Sequence, residues 1–375
     1  MTATAIAPAP FLSRRDGDLL RSLSSALVVA AHCVNIWVHD FYARHDFLSP
    51  GALAVLLDQF SRFTVPAFFM LSGYGLALQQ IAKPLPLGEF YRKRLLRISA
   101  PFFLWSALTV SRHTEYFTSL PWHEAPHQAV ISVLDLLLLR GVDYQYYFLI
   151  VIVQFYLVFP FVFRLARSPW FLAAAFVAQL LVMSPIEAVL APMGLRLPPL
   201  YSYLLVFFFF YCAAGMYAAW HPGWLSATAR RIPRSALWIL WAAALALVTA
   251  EFWVNIAVLH KKLAHADHFN RWVVMIYSSV CLLVLLKHRD WMKARIHDAA
   301  RWQWLYVWVT PFSFFVYLAH THVLRLADMF LTDDGAVTFV LRPAFVLAGS
   351  YVLAWTAQRL LRNWPRIRFG LGLPK

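Results

Sequence analysis

Residues 19–39 read LLRSLSSALVVAAHCVNIWVH. A run of this length and apolarity crosses a ~30 Å hydrocarbon core as a helix. Arg21 and His32 stand eleven residues apart in it, about three turns at ~3.6 residues per turn, so both side chains share one face. Ser25 and His39 fall on the same stripe. An ionisable side chain inside a bilayer is costly to bury and marks a functional site. A buried imidazole is also a suitable general base near neutral pH. For His32 alone, a core histidine bonded to a neighbouring helix is an equally open reading.

The rest of the chain repeats that apolarity. Of 375 residues, 61% are hydrophobic and 14% charged, against roughly 45–50% and 25% in soluble domains. Mean hydropathy is +0.60, and the 16 Trp and 16 Tyr suit a protein with many membrane interfaces. The expected fold is all-α, a polytopic transmembrane bundle of about ten spans near 19–39, 53–79, 95–112, 146–166, 169–190, 200–220, 236–258, 270–288, 303–324 and 337–360. The stretch 128–140 is apolar but short, and reads as re-entrant or interfacial.

The charge balance orients these spans. A net charge of +15 is explained by loops that collect Lys and Arg on the cytoplasmic side rather than by nucleic acid. Basic residues at 14–15, 83–97, 164–167, 230–234, 287–301 and 359–375 alternate with acidic and His-rich segments carrying Asp40, Glu115, Glu124, Asp267, Asp333 and Asp334. Ten spans with both termini cytoplasmic satisfy that asymmetry, and Lys261, Lys262 and Arg271 then fall on the opposite side. The expected organisation is a cytoplasmic tail over 1–18, a membrane domain over 19–360 and a basic cytoplasmic tail over 361–375. The start MTATAIAPAPFLSRRDGD does not read as a cleavable signal. Cys33, Cys212 and Cys281 lie in separate apolar segments and read as packing residues, not a disulfide frame.

Four further segments bear chemistry. FYRKRLLRISAP (90–101) places Arg94 and Arg97 one turn apart on a face, a forked pair suited to phosphate; Arg92 and Lys93 also read as topology determinants touching anionic lipid heads. VPAFFMLSGYGL (65–76) brings Ser72, Gly73 and Gly75, small residues that permit close helix approach. TPFSFFVYLAHTHVL (310–324) sets Ser313, Tyr317 and His320 on one face, with an interfacial Tyr/His belt as the competing reading. YQYYFLIVIVQFYLVFP (144–160) opens on tyrosines, Tyr147 among them, that form an aromatic belt or a platform for a sugar ring. Glu251 lies within an apolar run and needs a partner there. The histidines of HKKLAHADH (260–268) match no metal-ligand spacing, so no metal is expected. No P-loop, GxGxxG or GxSxG occurs.

In this order the segments resemble the acyltransferase 3 family of integral membrane acyltransferases. The resemblance rests on Arg21 and His32, on F-F-x-x-S-G-aromatic at Phe68 to Tyr74, on R-x-x-R at Arg94 and Arg97, and on S…Y-L-x-H at Ser313 to His320, and spans roughly 15–360. Gln145 and Tyr147 stand where the family often shows a histidine and a tryptophan. The resemblance implies transfer of an acyl group, with acetyl expected, from cytoplasmic acyl-CoA to a hydroxyl of an extracytoplasmic or lipid-linked glycan in the cell's inner (cytoplasmic) membrane. On that reading His32 and Arg21 are catalytic. Arg94, Arg97 and Arg92 bind the acyl-CoA donor, and Ser72, Tyr147, Glu251, Tyr317 and His320 meet substrate. Partners are membrane lipids, acyl-CoA and the glycan. A transporter or exporter of a glycan without chemistry, and an acyltransferase acting on a small molecule, are the competing functions. Intramembrane Arg, His and Glu fit a translocation path as well, whereas the paired interrupted helices of many transporters are not evident.

Overall fold

Ser13 starts the first helix with a reciprocal cap: its hydroxyl accepts from the Asp16 N–H at 3.1 Å while the Asp16 carboxylate accepts from the Ser13 N–H at 2.8 Å, satisfying two otherwise orphan donors. The structure, a computed structural model, describes residues 12–110, 118–121, 123–135, 142–183, 203–266, 268–331 and 335–374, without the side chains of Asp135, Ser226, Ala264 and His265. Helix α1 (Arg14–Arg44) ends at His45, whose left-handed backbone (φ 54) returns its N–H to Phe41. Next come α2 (Pro50–Ser61), capped by Ser49, and α3 (Thr64–Ala82). Helix α4 (Leu87–Val110) runs through Pro101, and α5 (Pro126–Asp135) stands alone as a ten-residue helix.

A 3-10 turn at Tyr144–Tyr146 leads into α6 (Tyr147–Val162). Then follow α7 (Pro169–Met183), α8 (Phe209–Trp220), α9 (Trp224–Arg231) and α10 (Arg234–Trp253), the last extended by a π-helical turn over Val254–Val258. The short α11 (Leu263–Ala266) precedes α12 (Trp272–Lys287) and α13 (Arg289–Met292). Irregular helical turns from Ala300 lead to α14 (Ser313–Phe330), and the chain closes with α15 (Ala336–Leu360) and α16 (Pro365–Gly370). The described residues contain no strand.

Among the described residues, six helical segments are long and apolar enough to cross a membrane: Arg14–Arg44, Pro50–Ala82, Tyr144–Val162, Arg234–Val258, Ala300–Phe330 and Ala336–Leu360. A seventh forms if Trp272–Lys287 and Arg289–His297, bent by 57°, count as one. Three expected spans fall short for identifiable reasons. Helix α4 carries Lys93, Arg94 and Arg97 in its first half, and residues 111–112 lie outside the described set. Helix α7 is described as far as Met183, residues 184–190 lie outside the described set, and α8 has twelve residues. Of the short stretch 128–140, α5 covers the first part, which is too short to span; 136–140 are not described. Glu115, Asp267, Asp333 and Asp334, expected on the outer side, also lie outside the described residues.

Helix α1 sits inside the bundle, packed against α2, α3, α14 and α15. Helices α3 and α8 make the closest contact in the core. A Cβ on Gly73 would stand 2.2 Å from the Cys212 carbonyl oxygen, and one on Gly215 2.0 Å from that of Met70. Two glycines facing each other's backbones let the helices touch without side chains between them. Gly75, two residues on, faces open space. Gly215→Ala is therefore expected to cost about 1–3 kcal/mol through overpacking and to lower the melting temperature followed by tryptophan fluorescence. Gly75→Ala should leave it unchanged; equal melting of the two variants would contradict the contact.

Candidate active site

At one end of the α1 stripe, His32 meets residues from two distant parts of the chain. Its half-buried ring stacks on His320 of α14 at 5.4 Å between centroids and 13° between planes. The Tyr144 ring meets it edge-on at 4.6 Å. His320 is fully buried, and its Nδ1 lies 2.7 Å from the Tyr317 carbonyl oxygen. A carbonyl only accepts, so Nδ1 carries the proton and Nε2 of the neutral ring is an acceptor. That Nε2 has no partner among the described residues. Tyr317 donates its hydroxyl to the Gln145 carbonyl. The Gln145 side chain donates to the Thr321 hydroxyl at 3.0 Å and leaves its buried Oε1 unpartnered. Among the described residues, two buried acceptors thus lack donors here, one on the ring stacked on His32 and one on the residue after Tyr144. Such groups are rare without a ligand or water.

The other end of the stripe is cationic. Arg21 pairs with Asp18 at 3.0 Å. Arg21, Arg94 and Arg97 all lie within electrostatic range of the Tyr156 hydroxyl on α6, so α1, α4 and α6 converge there. Arg94 is half-buried and its Nε finds no acceptor among the described residues. Lys93 is engaged by Glu89 at 2.5 Å, a contact that holds that exposed carboxyl below its usual range. Arg92 projects beside the same Glu89, away from the Arg94 face. Along α1 the two ends are eleven residues apart, ~16 Å at ~1.5 Å per residue. Between them the Ser25 hydroxyl donates to the Ser313 carbonyl at 3.1 Å. Ser72 shares a face of α3 with Phe68, whose ring lies 6.4 Å from that of Tyr317.

The other expected contacts sort differently. Tyr147 packs against Tyr203 at 5.5 Å and Phe269 at 6.4 Å, and its buried hydroxyl lacks a partner among the described residues. The tyrosine at His32 is Tyr144. Glu251 finds its partners in Arg271, through an ion pair, and in the Asn255 amide, at 2.6 Å. Arg271 is buried and also donates to Gln59 at 2.5 Å. Gln59 donates to Asp58, which forms an ion pair with Arg62. Arg62 lies over the Phe269 ring at 4.7 Å and within electrostatic range of His32 and Tyr147.

This network was not read from the sequence, although Asp58 and Arg62, an i,i+4 pair of opposite charge in an apolar run, were a visible signal. A second buried cluster escaped as well. Asp16, the cap of α1, contacts His297 Nε2 at 2.7 Å and Arg289 at 3.4 Å, and His297 Nδ1 bonds Tyr306. In the loop of histidines, His268 Nδ1 accepts from the Asn270 N–H at 3.2 Å, while the side chain of His265 lies outside the described residues.

A family model described as an acyltransferase domain matches residues 16–359, nearly the whole chain. No curated protein and no solved structure matches it. The buried ion pair yields a prediction of its own. Arg271→Met strands the Glu251 carboxylate and is expected to cost about 3–5 kcal/mol, seen as lost monodisperse protein in size-exclusion chromatography. Adding Glu251→Gln should restore most of it. A folded, wild-type-like Arg271→Met would show that the pair is not structural.

Proposed function

Because the chain belongs to the acyltransferase 3 family, we propose that it moves an acyl group, acetyl by expectation, from cytoplasmic acyl-CoA to a hydroxyl of an extracytoplasmic or lipid-linked glycan. The observation that carries this reading is the His32–His320 stack, with the His320 Nε2 and Gln145 Oε1 acceptors left open beside it. A polyol substrate supplies the hydroxyl donors such a chamber lacks. About ten spans, both termini in the cytoplasm and residence in the cell's inner membrane belong to the same proposal. They put Arg21, Arg94 and Arg97 at the cytoplasmic mouth.

The chemistry follows from the arrangement. The Arg94 and Arg97 guanidiniums hold the phosphates of the donor, and the unpartnered Arg94 Nε is a ready donor for an anion. Arg21 lies ~16 Å along the helix from His32. Holding the charged end of the donor is therefore compatible with His32 acting at the reacting carbon, whereas stabilising charge on the thioester oxygen is not. His32 takes the proton of the acceptor hydroxyl as that oxygen attacks the thioester carbonyl carbon. The C–O bond forms, the C–S bond breaks, and the departing thiolate receives the proton from the imidazolium. Tyr317 and Ser72, on facing helices beside the chamber, and Tyr144, against the imidazole, orient the acceptor.

The test uses purified protein with labelled acetyl-CoA and candidate glycans. His32→Ala should lower turnover by about 10²–10⁴, the usual contribution of a positioned base. Arg94→Ala and Arg97→Ala should raise KM for acyl-CoA more than they lower kcat. Wild-type turnover by His32→Ala removes the base assignment. Glycan moved across sealed vesicles without acyl-CoA makes the protein a transporter instead.

A further inference from the structure

The face of α3 turned away from His32 borders an apolar cavity of about 250 Å³. Its wall includes Phe63 at the N-cap of α3, Pro66 and Met70 of α3, Leu20 of α1, Thr228 of α9 and Leu282 of α12. Phe63, Pro66 and Met70 form one helical stripe, whereas Phe68, whose ring meets Tyr317, points roughly 150° away at ~100° per residue. Helix α3 therefore separates this cavity from the candidate active site, and none of Arg21, His32, Arg94 or Arg97 lines it.

Two hydroxyls in the wall are unmet: among the described residues neither Ser278 Oγ (8% exposed) nor the Tyr211 hydroxyl (5% exposed) has a hydrogen-bond partner. The neighbouring hydroxyls in the wall are satisfied by their own helices: Ser279 donates to the Met275 carbonyl at 2.8 Å and Thr228 to that of Trp224 at 3.1 Å. A buried hydroxyl without an acceptor is costly in an apolar setting. The occupant that suits this cavity is mostly hydrocarbon and carries an acceptor into it.

The rim supplies charge. Helix α9 buries Leu225 and Ala229 and exposes Trp224, Arg230 and Arg231, the pattern of a short helix lying in the membrane interface. Arg234 begins α10, and Lys287 reaches over to donate to the Arg230 carbonyl at 2.9 Å. Among the described residues, none of these four cations is engaged by a carboxylate. Trp238, 46% exposed, meets the His288 ring at a tilt, 5.3 Å between centroids.

We propose that this cavity binds one acyl chain of an anionic glycerophospholipid, with the phosphate held by Arg230 and Arg231 and an ester carbonyl accepting from the Ser278 hydroxyl. A cationic rim above an apolar slot complements that amphiphile and no neutral one. Ser278 sits nine residues inward of Lys287 along α12, roughly 13 Å at ~1.5 Å per residue. The lipid is thus held deeper than its leaflet neighbours, the arginine side chains bridging part of the depth. The site is independent of the acyl-transfer reading, since it lies on the other side of α3.

The full-length protein in phosphatidylcholine nanodiscs, exposed to phosphatidylglycerol bearing a diazirine in its acyl chain, tests this directly. Adducts should concentrate on Met70, Leu282 and Leu283, and unlabelled phosphatidylglycerol should compete while added phosphatidylcholine does not. Thr228→Trp, which fills the slot from its rim, should abolish them. The surface variant Arg230→Ala/Arg231→Ala keeps the core intact and should raise the phosphatidylglycerol needed for half-competition by about tenfold or more. Adducts spread over lipid-facing residues such as Phe345 and Val352 would overturn the proposal, as would equal competition by phosphatidylcholine.

Discussion

A guanidinium and an imidazole on a helix inside lipid must face protein, because hydrocarbon offers them neither water nor counter-charge. That constraint places α1 in the middle of the bundle, with α2, α3, α14 and α15 around it. It also decides what those neighbours present. Helix α14 brings the His320 ring to His32 and the Ser313 carbonyl to the Ser25 hydroxyl. Helix α3 is pressed against α8 by reciprocal glycines, which fixes one wall of the chamber without intervening side chains. The α1 terminus is anchored by the Asp16 cap and its contact to His297.

The polar groups of the bundle divide into two kinds. The Glu251–Arg271–Gln59 and Asp58–Arg62 contacts are mutually satisfied. They cross-link α2, α10 and α12, and such closed networks specify an arrangement more than they stabilise it. Around the α1 stripe the accounting is left open: His320 Nε2, Gln145 Oε1 and Arg94 Nε lack partners. Unmet acceptors near the imidazole and an unmet donor near the arginines match the two ends of a substrate pair, a hydroxyl and an anion.

The stripe was legible in the sequence because helical periodicity alone puts Arg21 and His32 on one face, and the R-x-x-R and Y-L-x-H segments carried their own spacing. The partners of Glu251 and Asp16 were not. Gln59 lies 212 residues from Arg271 and Asp16 lies 281 from His297, and local pattern does not encode contacts of that range. Arg271, at the boundary of a loop and a helix, read as an outer loop charge and turned out buried. Tyr144 lies in a 3-10 turn before α6, and its edge-on contact with His32 joins segments 112 residues apart, beyond the reach of local pattern. The membrane character of the chain was plain from composition. The count of spans was less so, since charge at the start of α4 and the bend after α12 interrupt runs that hydropathy alone joins.

The central claim is that an anion-binding mouth and an imidazole chamber, three turns apart on one helix, serve a single transfer across the bundle. Proteoliposomes reconstituted in one orientation, with labelled acetyl-CoA on one face and the glycan on the other, measure it most directly. The account predicts labelled glycan only when the donor is on the Arg94/Arg97 face and the acceptor on the opposite one. Label appearing only when donor and acceptor share a face would contradict it.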